Sequence, residues 1–183
     1  MVELSKRLGI ISEIVKQKPS LGKTAMMKFI YILQQVYKVP IGYDYEIYTY
    51  GPYSSGVMED VQLAADFDAI CMNAVCFPSG HLGYELKPSE NTEKTLERER
   101  EFIDTYKSSI ENTIKLFGNK NARELELSST IIYIYANYTH NQWNNSVEEV
   151  SKNVQKIKPH FTLDTIEREY HELEDQGILK KAV

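Results

Sequence analysis

The N-terminal part of the chain repeats its hydrophobic positions with the period of an α-helix. A first apolar face carries Leu4, Leu8, Ile11 and Val15. The run Lys18-Pro19-Ser20 interrupts this pattern, and Ser20 is the expected N-cap of a second helix. The apolar stripe of that helix comprises Met26, Phe29, Ile30, Leu33, Val36 and Tyr37. Met27 and Tyr31 lie off this stripe, so the Tyr31 ring either meets a second layer or is exposed.

After residue 42 the period of the hydrophobic pattern changes to two, which predicts a strand with one solvent-exposed face. One face carries Tyr43, Tyr45 and Ile47, and the other carries Asp44, Glu46 and Tyr48. We expect Gly51-Pro52 to turn the chain, and Ser54 or Ser55 to cap a short helix. Two more strands are predicted over residues 70–77 and 82–88, with a hairpin turn at Pro78-Ser79-Gly80-His81. Helices followed by a β-hairpin are the parts of a winged-helix unit.

The second half of the chain has helical periodicity throughout. One long helix is predicted by a stripe that comprises Leu96, Ile103, Tyr106, Ile110 and Phe117. Two S/T/N-x-x-E capping boxes follow, one at Asn121 with Glu124 and one at Ser146 with Glu149. Thr162 is the expected cap of the final helix, which ends at Gly177.

These elements predict a mainly α fold of the α+β kind. We expect a helical bundle with a winged-helix-like N-terminal unit that contains a small antiparallel sheet. Residues 1–183 are expected to form a single compact domain, with the winged-helix-like lobe over 1–90 and a helical lobe over 91–183.

The composition is that of an ordinary globular protein, with 42% hydrophobic and 26% charged residues among 183. No apolar run approaches the roughly twenty residues of a membrane span, and the first residues lack the apolar core of a signal peptide. We therefore expect a cytoplasmic protein without membrane contact. Cys71 and Cys76 lie five residues apart in a predicted strand, so they point to opposite faces and are expected to stay reduced.

The net charge of −5 is unevenly distributed along the chain. Residues 1–38 sum to +5, whereas residues 39–76 contain six acidic residues and no Lys or Arg. This asymmetry argues against a simple basic DNA-binding face.

Seven of the thirteen tyrosines lie between residues 28 and 55. Tyrosine combines a flat apolar ring with a polar tip and therefore suits a surface that binds a partner protein. The candidate partner-binding residues are Tyr31, Asp44, Glu46, Tyr48, Tyr50 and Tyr53. The alternative is that the rings fill a small core between strand and helix.

No pattern of catalytic chemistry accompanies the tyrosines. The chain has no recognised nucleophile motif and no phosphate-binding glycine loop, so we expect neither an enzyme nor a cofactor. Cys71, Cys76 and His81 fit no common zinc spacing, and we expect no metal site. The only tryptophan, Trp143, is expected to pack against the edge of the core, and the alternative is that it anchors a binding partner.

Three blocks of the sequence resemble the YwgA-like proteins, and the first of them also resembles, more distantly, the SocA-like (Panacea) antitoxin domains. The first block runs from Lys28 to Gln34 and continues with Gly42-Tyr43 and Tyr50-Gly51-Pro52-Tyr53-Ser54. The others are Leu125-Glu126-Leu127-Ser128-Ser129-Thr130 and Lys158-Pro159-His160-Phe161. The resemblance implies a compact, mostly helical fold without catalysis, found in bacterial defence and toxin–antitoxin settings.

A second resemblance lies at the C-terminus, where residues 161–179 are similar to the recognition helix of winged helix-turn-helix regulators. This segment contains six acidic residues and a single Lys or Arg, Arg168. An acidic helix in the major groove would oppose the phosphate charge that supplies most of the affinity. We accept the motif as evidence of fold and reject DNA as its target.

The favoured function is a non-catalytic protein-interaction module, antitoxin-like or regulatory, that presents an acidic, tyrosine-rich surface to a basic partner such as a toxin. The alternative is a winged-helix DNA-binding transcriptional regulator that uses the basic first helices, with Lys23 and Lys28 as nucleic-acid contacts. The oligomeric state stays open at this stage.

Overall fold

The computed structural model describes residues 3–76, 80 and 82–179. In order, these residues form α1 Leu4–Gln17, β1 Leu21–Gly22, α2 Lys23–Gln35, β2 Glu46–Tyr48, β3 Gly51–Tyr53, α3 Ser55–Asp66, β4 Ile70–Cys76, β5 Leu82–Pro88, α4 Thr92–Arg98, α5 Arg100–Phe117, α6 Ala122–His140, α7 Val147–Ile157 and α8 Leu163–Asp175. They cluster into two compact units. The first comprises the described residues up to Glu46 with Tyr53–Lys120, and the second comprises Ile47–Pro52 with the described residues from Asn121 onward. The lobes expected over 1–90 and 91–183 stay a prediction.

The first unit has the element order of a winged helix. Helices α1, α2 and α3 precede the β4–β5 hairpin, and the antiparallel sheet has the strand order β1-β5-β4. Leu86 in the central strand pairs with Leu21 on one side and with Met72 on the other. The predicted fold class, mainly α with a small antiparallel sheet, is confirmed. The predicted turn at 78–81 lies outside the described residues except for Gly80.

Helix α2 is buried on more than one side. Its predicted stripe is buried from Met26 to Leu33, whereas Val36 and Tyr37 lie beyond the end of the helix and are half-buried. Met27 and Tyr31, which lie off that stripe, are also only 1% and 3% exposed. The reason is that α1, α3, α5 and strands β1 and β5 all pack against this helix. Tyr31 therefore meets a second layer and does not reach the surface.

Three predicted helix caps are wrong. Ser54 precedes α3, as one of the two expected cap positions, but its side chain caps no backbone N–H. Helix α2 is preceded by Gly22 and not by Ser20, because residues 21 and 22 form a short strand that pairs with β5. Ser20 has a positive φ of 68°, and its backbone N–H donates to the Leu86 carbonyl at 2.9 Å. Ser146 precedes α7 as predicted but caps no backbone N–H, because its hydroxyl bonds to the carboxylate of Glu148.

The stripe over residues 96–117 belongs to two helices and not to one. The chain leaves helical geometry at Glu99, where φ is −109° and ψ is 18°. Both α4 and α5 pack against α1. A Cβ built at Gly9 of α1 would lie 3.1 Å from the Cβ of Glu99. This glycine therefore allows the break between α4 and α5 to lie close to α1.

The second unit is built on helices α6, α7 and α8, which pack against one another. The predicted capping box is present at the start of α6, where the side chain of Asn121 accepts from the N–H of Glu124 and the Glu124 carboxylate accepts from the N–H of Asn121. Thr162 caps α8 as predicted. Gly177, with φ of 72°, follows α8, and the bonds Gly177 N–H to Glu174 O and Ile178 N–H to Leu173 O make a Schellman motif.

Candidate functional site

The first part of the tyrosine segment, which we define as residues 43–53, alternates in burial over residues 43–48 as the sequence predicts. Tyr43 is buried and Tyr45 is half-buried, whereas Asp44 and Glu46 are exposed. Regular strand begins only at Glu46. Before it, the Gln34 side-chain amide takes the place of a neighbouring strand, because it donates to the Tyr43 carbonyl at 2.7 Å and accepts from the Tyr43 N–H at 2.8 Å.

Tyr31, Tyr43 and Tyr45 form a ring cluster in the first unit. The Tyr31 and Tyr45 rings meet edge to face with centroids 4.9 Å apart, and the Tyr43 and Tyr45 centroids are 6.4 Å apart. Such edge-to-face contacts stabilise aromatic pairs beyond the area that they bury. Of the candidate partner-binding residues, Tyr31 is therefore placed in the core and not on the exposed surface.

The Tyr43 hydroxyl belongs to a buried charged network. It donates to Oδ2 of Asp60 at 2.6 Å, and the Nε of Arg7 lies 3.0 Å from the same oxygen. The Arg7 guanidinium also stacks over the Tyr43 ring at 5.2 Å. Burial, with the bond to Asp60 as a second cause, raises the pKa of Tyr43 far above its usual range. This network fixes Tyr43 as a structural residue.

The Tyr45 hydroxyl has no such network. Its oxygen is buried and has no hydrogen-bond partner among the described residues. Burial raises the pKa of Tyr45 well above its usual range. Two neighbouring tyrosines of one segment therefore differ in whether their hydroxyls are satisfied.

The chain turns at Thr49 and Tyr50, two residues earlier than predicted, and Gly51 and Pro52 begin strand β3. Gly51 has a φ of 90°, a conformation that favours glycine. A Cβ built on Gly51 would lie 3.1 Å from both Ser129 Oγ and Thr130 Oγ1 of α6. Glycine is required here for its backbone conformation and for the close approach of the turn to α6.

A buried lysine binds the backbone carbonyls of the turn. Lys158, with 3% of its side chain exposed, donates from Nζ to the carbonyl of Tyr48 at 2.9 Å and also to the carbonyl of Thr49. The same Nζ lies 3.0 Å from Oε1 of Glu126, a carboxylate that is 9% exposed. Nε2 of His160 lies 3.4 Å from this oxygen. The backbone of the turn is thereby tied to α6 and to the residues between α7 and α8.

Sequence reasoning did not identify Lys158 and Glu126 as a pair. The only signal was that both lie in blocks of the family resemblance, as does Gly51. All three blocks contribute to the anchored turn, although they are far apart in the chain.

Two exposed tyrosines belong to this anchored turn, Tyr48 directly before it and Tyr50 within it. Tyr48 is 63% exposed and Tyr50 is 65% exposed, whereas Tyr53 is half-buried. The partner-binding candidates therefore divide into two tyrosines of the turn, two exposed acidic residues before it (Asp44 and Glu46), and residues that are partly or fully buried.

The nucleic-acid candidates are poorly placed for phosphate contacts. Lys28 is 3% exposed, so it does not reach the surface. Lys23 is half-buried with its ammonium over the Tyr84 ring at 5.2 Å. Helix α3, the second helix of the α2–α3 pair, exposes Ser55, Glu59, Gln62 and Asp66. This exposed stripe contains two acids and no cation, which opposes insertion into a DNA groove.

The expected packing of Trp143 is wrong. The ring is 61% exposed and contacts Tyr138 edge to face, with centroids 5.4 Å apart. The backbone bond from its N–H to the Tyr138 carbonyl, at 2.8 Å, holds the chain just beyond the end of α6, where neighbouring polar residues leave the indole uncovered.

Other chemistries find little support in the described part of the chain. Cys71 and Cys76 are free thiols, and no group of three His, Cys, Asp or Glu residues could hold a metal there. His81, considered above as a zinc ligand, lies outside the described residues. None of the described helices combines the length and apolar character that a bilayer crossing requires.

Comparison with known proteins places the chain in no group: no protein-family model, no curated protein and no solved structure matches it.

Proposed function

We propose that the chain is a non-catalytic protein-interaction module that recognises its partner with Tyr48 and Tyr50. The observation that carries the proposal is the combination of two tyrosines that are 63% and 65% exposed with a backbone turn that buried Lys158 holds in place. Tyrosine supplies a large contact area with few rotatable bonds, and a fixed backbone lowers the entropy cost of binding.

The charge of the neighbouring sequence supports a basic partner. Asp44 and Glu46 are exposed, and residues 39–76 contain six acids and no Lys or Arg. Charge complementarity raises association rates and excludes partners of like charge. A basic protein such as a toxin is the partner that we expect. The antitoxin-like or regulatory role rests on the resemblance to the YwgA-like and SocA-like proteins, and a cytoplasmic setting fits the two free thiols.

A winged-helix DNA-binding regulator is supported by the element order of the first unit but not by its charges. The exposed stripe of α3 is acidic and Lys28 is buried. We therefore treat DNA binding as the result that would displace the proposal.

The experiment is partner capture from an extract of the source cells with three immobilised baits. These are the wild type, Tyr48→Ala/Tyr50→Ala, and the control Tyr84→Ala, which removes a tyrosine of β5 that is 45% exposed. We expect the wild type and the control to retain a basic protein that the double variant loses, with equal melting temperatures for all baits. Equal capture by all three would refute the role of the turn.

A further inference from the structure

A cleft of about 360 Å³ in the first unit shares no residue with the tyrosine segment. Its apolar part comprises Leu4 and Leu8 of α1 together with Phe67 and Ala69, which lie between α3 and β4. Its polar edge includes Lys94 and Arg98 of α4. Ligand pockets typically have about 300–1,000 Å³ and an apolar lining with a few polar groups, so this cleft has the size for a small molecule.

Phe67 gives the cleft its apolar character. Phe67 is 62% exposed, although Leu8 and Ala69, which also line the cleft, are only 7% and 2% exposed. A large apolar ring on the wall of a cleft can pack by its edge or its face against an aromatic ring of a bound ligand. The body of the ligand is therefore expected to be aromatic.

The cations at the edge decide the charge of the ligand. Lys94 and Arg98 lie four residues apart on α4 and so share one face of that helix. Within the described residues neither has an ion-pair partner, whereas the nearby cations Lys16 and Arg100 are paired with glutamates. Glu99 is the one acid in the lining, so the charged groups of the cleft sum to one positive charge.

The loop that carries Phe67 is held in place before any ligand binds. Asp68 has a φ of 55°, and its carboxylate accepts from Asn91 Nδ2 at 2.9 Å. The Ser89 hydroxyl donates to the Asp68 carbonyl, and the Thr92 hydroxyl donates to the Ala69 carbonyl at 2.8 Å. These bonds join the loop to the start of α4, so the two walls of the cleft are preorganised relative to each other.

We propose that this cleft binds a small aromatic carboxylate. The ring lies against Leu8 and Phe67, and the carboxylate lies at Lys94 and Arg98, where the Arg98 guanidinium is suited to bidentate contact. A volume of about 360 Å³ accommodates one ring with a short chain and excludes a docked helix. Net positive charge at the edge excludes an amine of the same shape.

The test is a titration of the labelled protein with 3-phenylpropionate and, separately, with its neutral analogue 3-phenylpropanamide, followed by backbone amide chemical shifts. We expect the carboxylate to shift the amides of Leu8, Ala69 and Thr95 and to saturate in the millimolar range, as suits a ligand of about eleven heavy atoms. The neutral analogue should bind about tenfold more weakly, since it loses the charge-assisted contacts.

Two paired variants separate this site from general attraction of anions. Lys94→Gln/Arg98→Gln should remove the preference for the carboxylate and leave the affinity of the neutral analogue unchanged. Arg100→Gln/Lys107→Gln removes two cations outside the cleft and should preserve the preference. The proposal would be overturned if the wild type bound the two probes equally, if the shifts did not saturate, or if they were confined to other residues. It would also be overturned if both double variants lost the preference for the carboxylate to the same extent.

Discussion

Tyrosines of the same segment have different roles because of their individual surroundings. The Tyr43 hydroxyl donates to Asp60, which also pairs with Arg7. The Tyr45 hydroxyl is buried without a partner among the described residues, and Tyr48 is mostly exposed. The residue type alone does not distinguish these roles, because Asp60 and Arg7 come from other elements of the fold.

The first prediction compares Tyr43→Phe with Tyr45→Phe. Loss of the Tyr43 hydroxyl removes a buried bond to a charged acceptor and should lower the free energy of unfolding by about 1–3 kcal/mol. Loss of the Tyr45 hydroxyl removes a polar atom that is buried without a partner, so stability should stay the same or rise. Urea unfolding of both variants measures this difference, and equal destabilisation would contradict the two assigned environments.

A second prediction concerns Lys158. Lys158→Met leaves the Glu126 carboxylate without the cation of its ion pair, and it leaves two backbone carbonyls of the turn without their donor. Breaking a buried ion pair from one side typically costs about 3–5 kcal/mol. Lys158→Met/Glu126→Leu removes both charges and should recover part of that loss. Thermal or urea unfolding would contradict the pairing if the single and the double variant were equally unstable.

At the scale of elements, β2 and β3 form a two-stranded sheet, and the turn between them depends on a glycine for two reasons. Gly51 has a positive φ, and it also lies where a Cβ would meet two hydroxyls of α6. Gly177 after α8 also has a positive φ, of 72°, but among the described residues no atom lies within 4 Å of a Cβ built on it. Substitution of Gly177 therefore tests the backbone strain alone, whereas substitution of Gly51 tests the strain together with the steric contact.

We expect Gly177→Ala to cost about 1 kcal/mol, which is the low end for a residue in this conformation. Gly51→Ala should cost more, because the added methyl group must also displace Ser129 and Thr130. Unfolding midpoints of the two variants give the comparison. A Gly51→Ala protein that is as stable as Gly177→Ala would show that the turn does not approach α6 closely.

Local signals predicted the elements well, and distant contacts explain what they missed. The caps at Asn121 and Thr162 and the stop at Gly177 depend on neighbours in sequence, and the structure has them as predicted. The cap at Ser20 failed because a strand forms there only by pairing with β5. Likewise, the alternation of residues predicted which side of the tyrosine segment is exposed to solvent. The pairing of Lys158 with Glu126, in contrast, has no local sequence pattern that could predict it.

At the scale of the whole molecule, the distribution of charge argues against duplex DNA. The net charge is −5, and the exposed stripe of α3 carries acids where a DNA reader requires cations. We expect no appreciable binding to duplex DNA at physiological salt by fluorescence anisotropy at two salt concentrations. Sub-micromolar binding that weakens steeply with salt and is lost in Lys23→Glu would favour the regulator function instead.

The most direct test of the central claim is the affinity of the captured partner for three purified proteins, measured by calorimetry. These are the wild type, Tyr48→Ala/Tyr50→Ala and the control Tyr84→Ala. Residues that anchor an interface cost at least about 2 kcal/mol when truncated, so the dissociation constant of the double variant should rise by about thirtyfold or more. The control should bind like the wild type, and all three should melt alike. A stable double variant that binds the partner as tightly as the wild type would contradict the account.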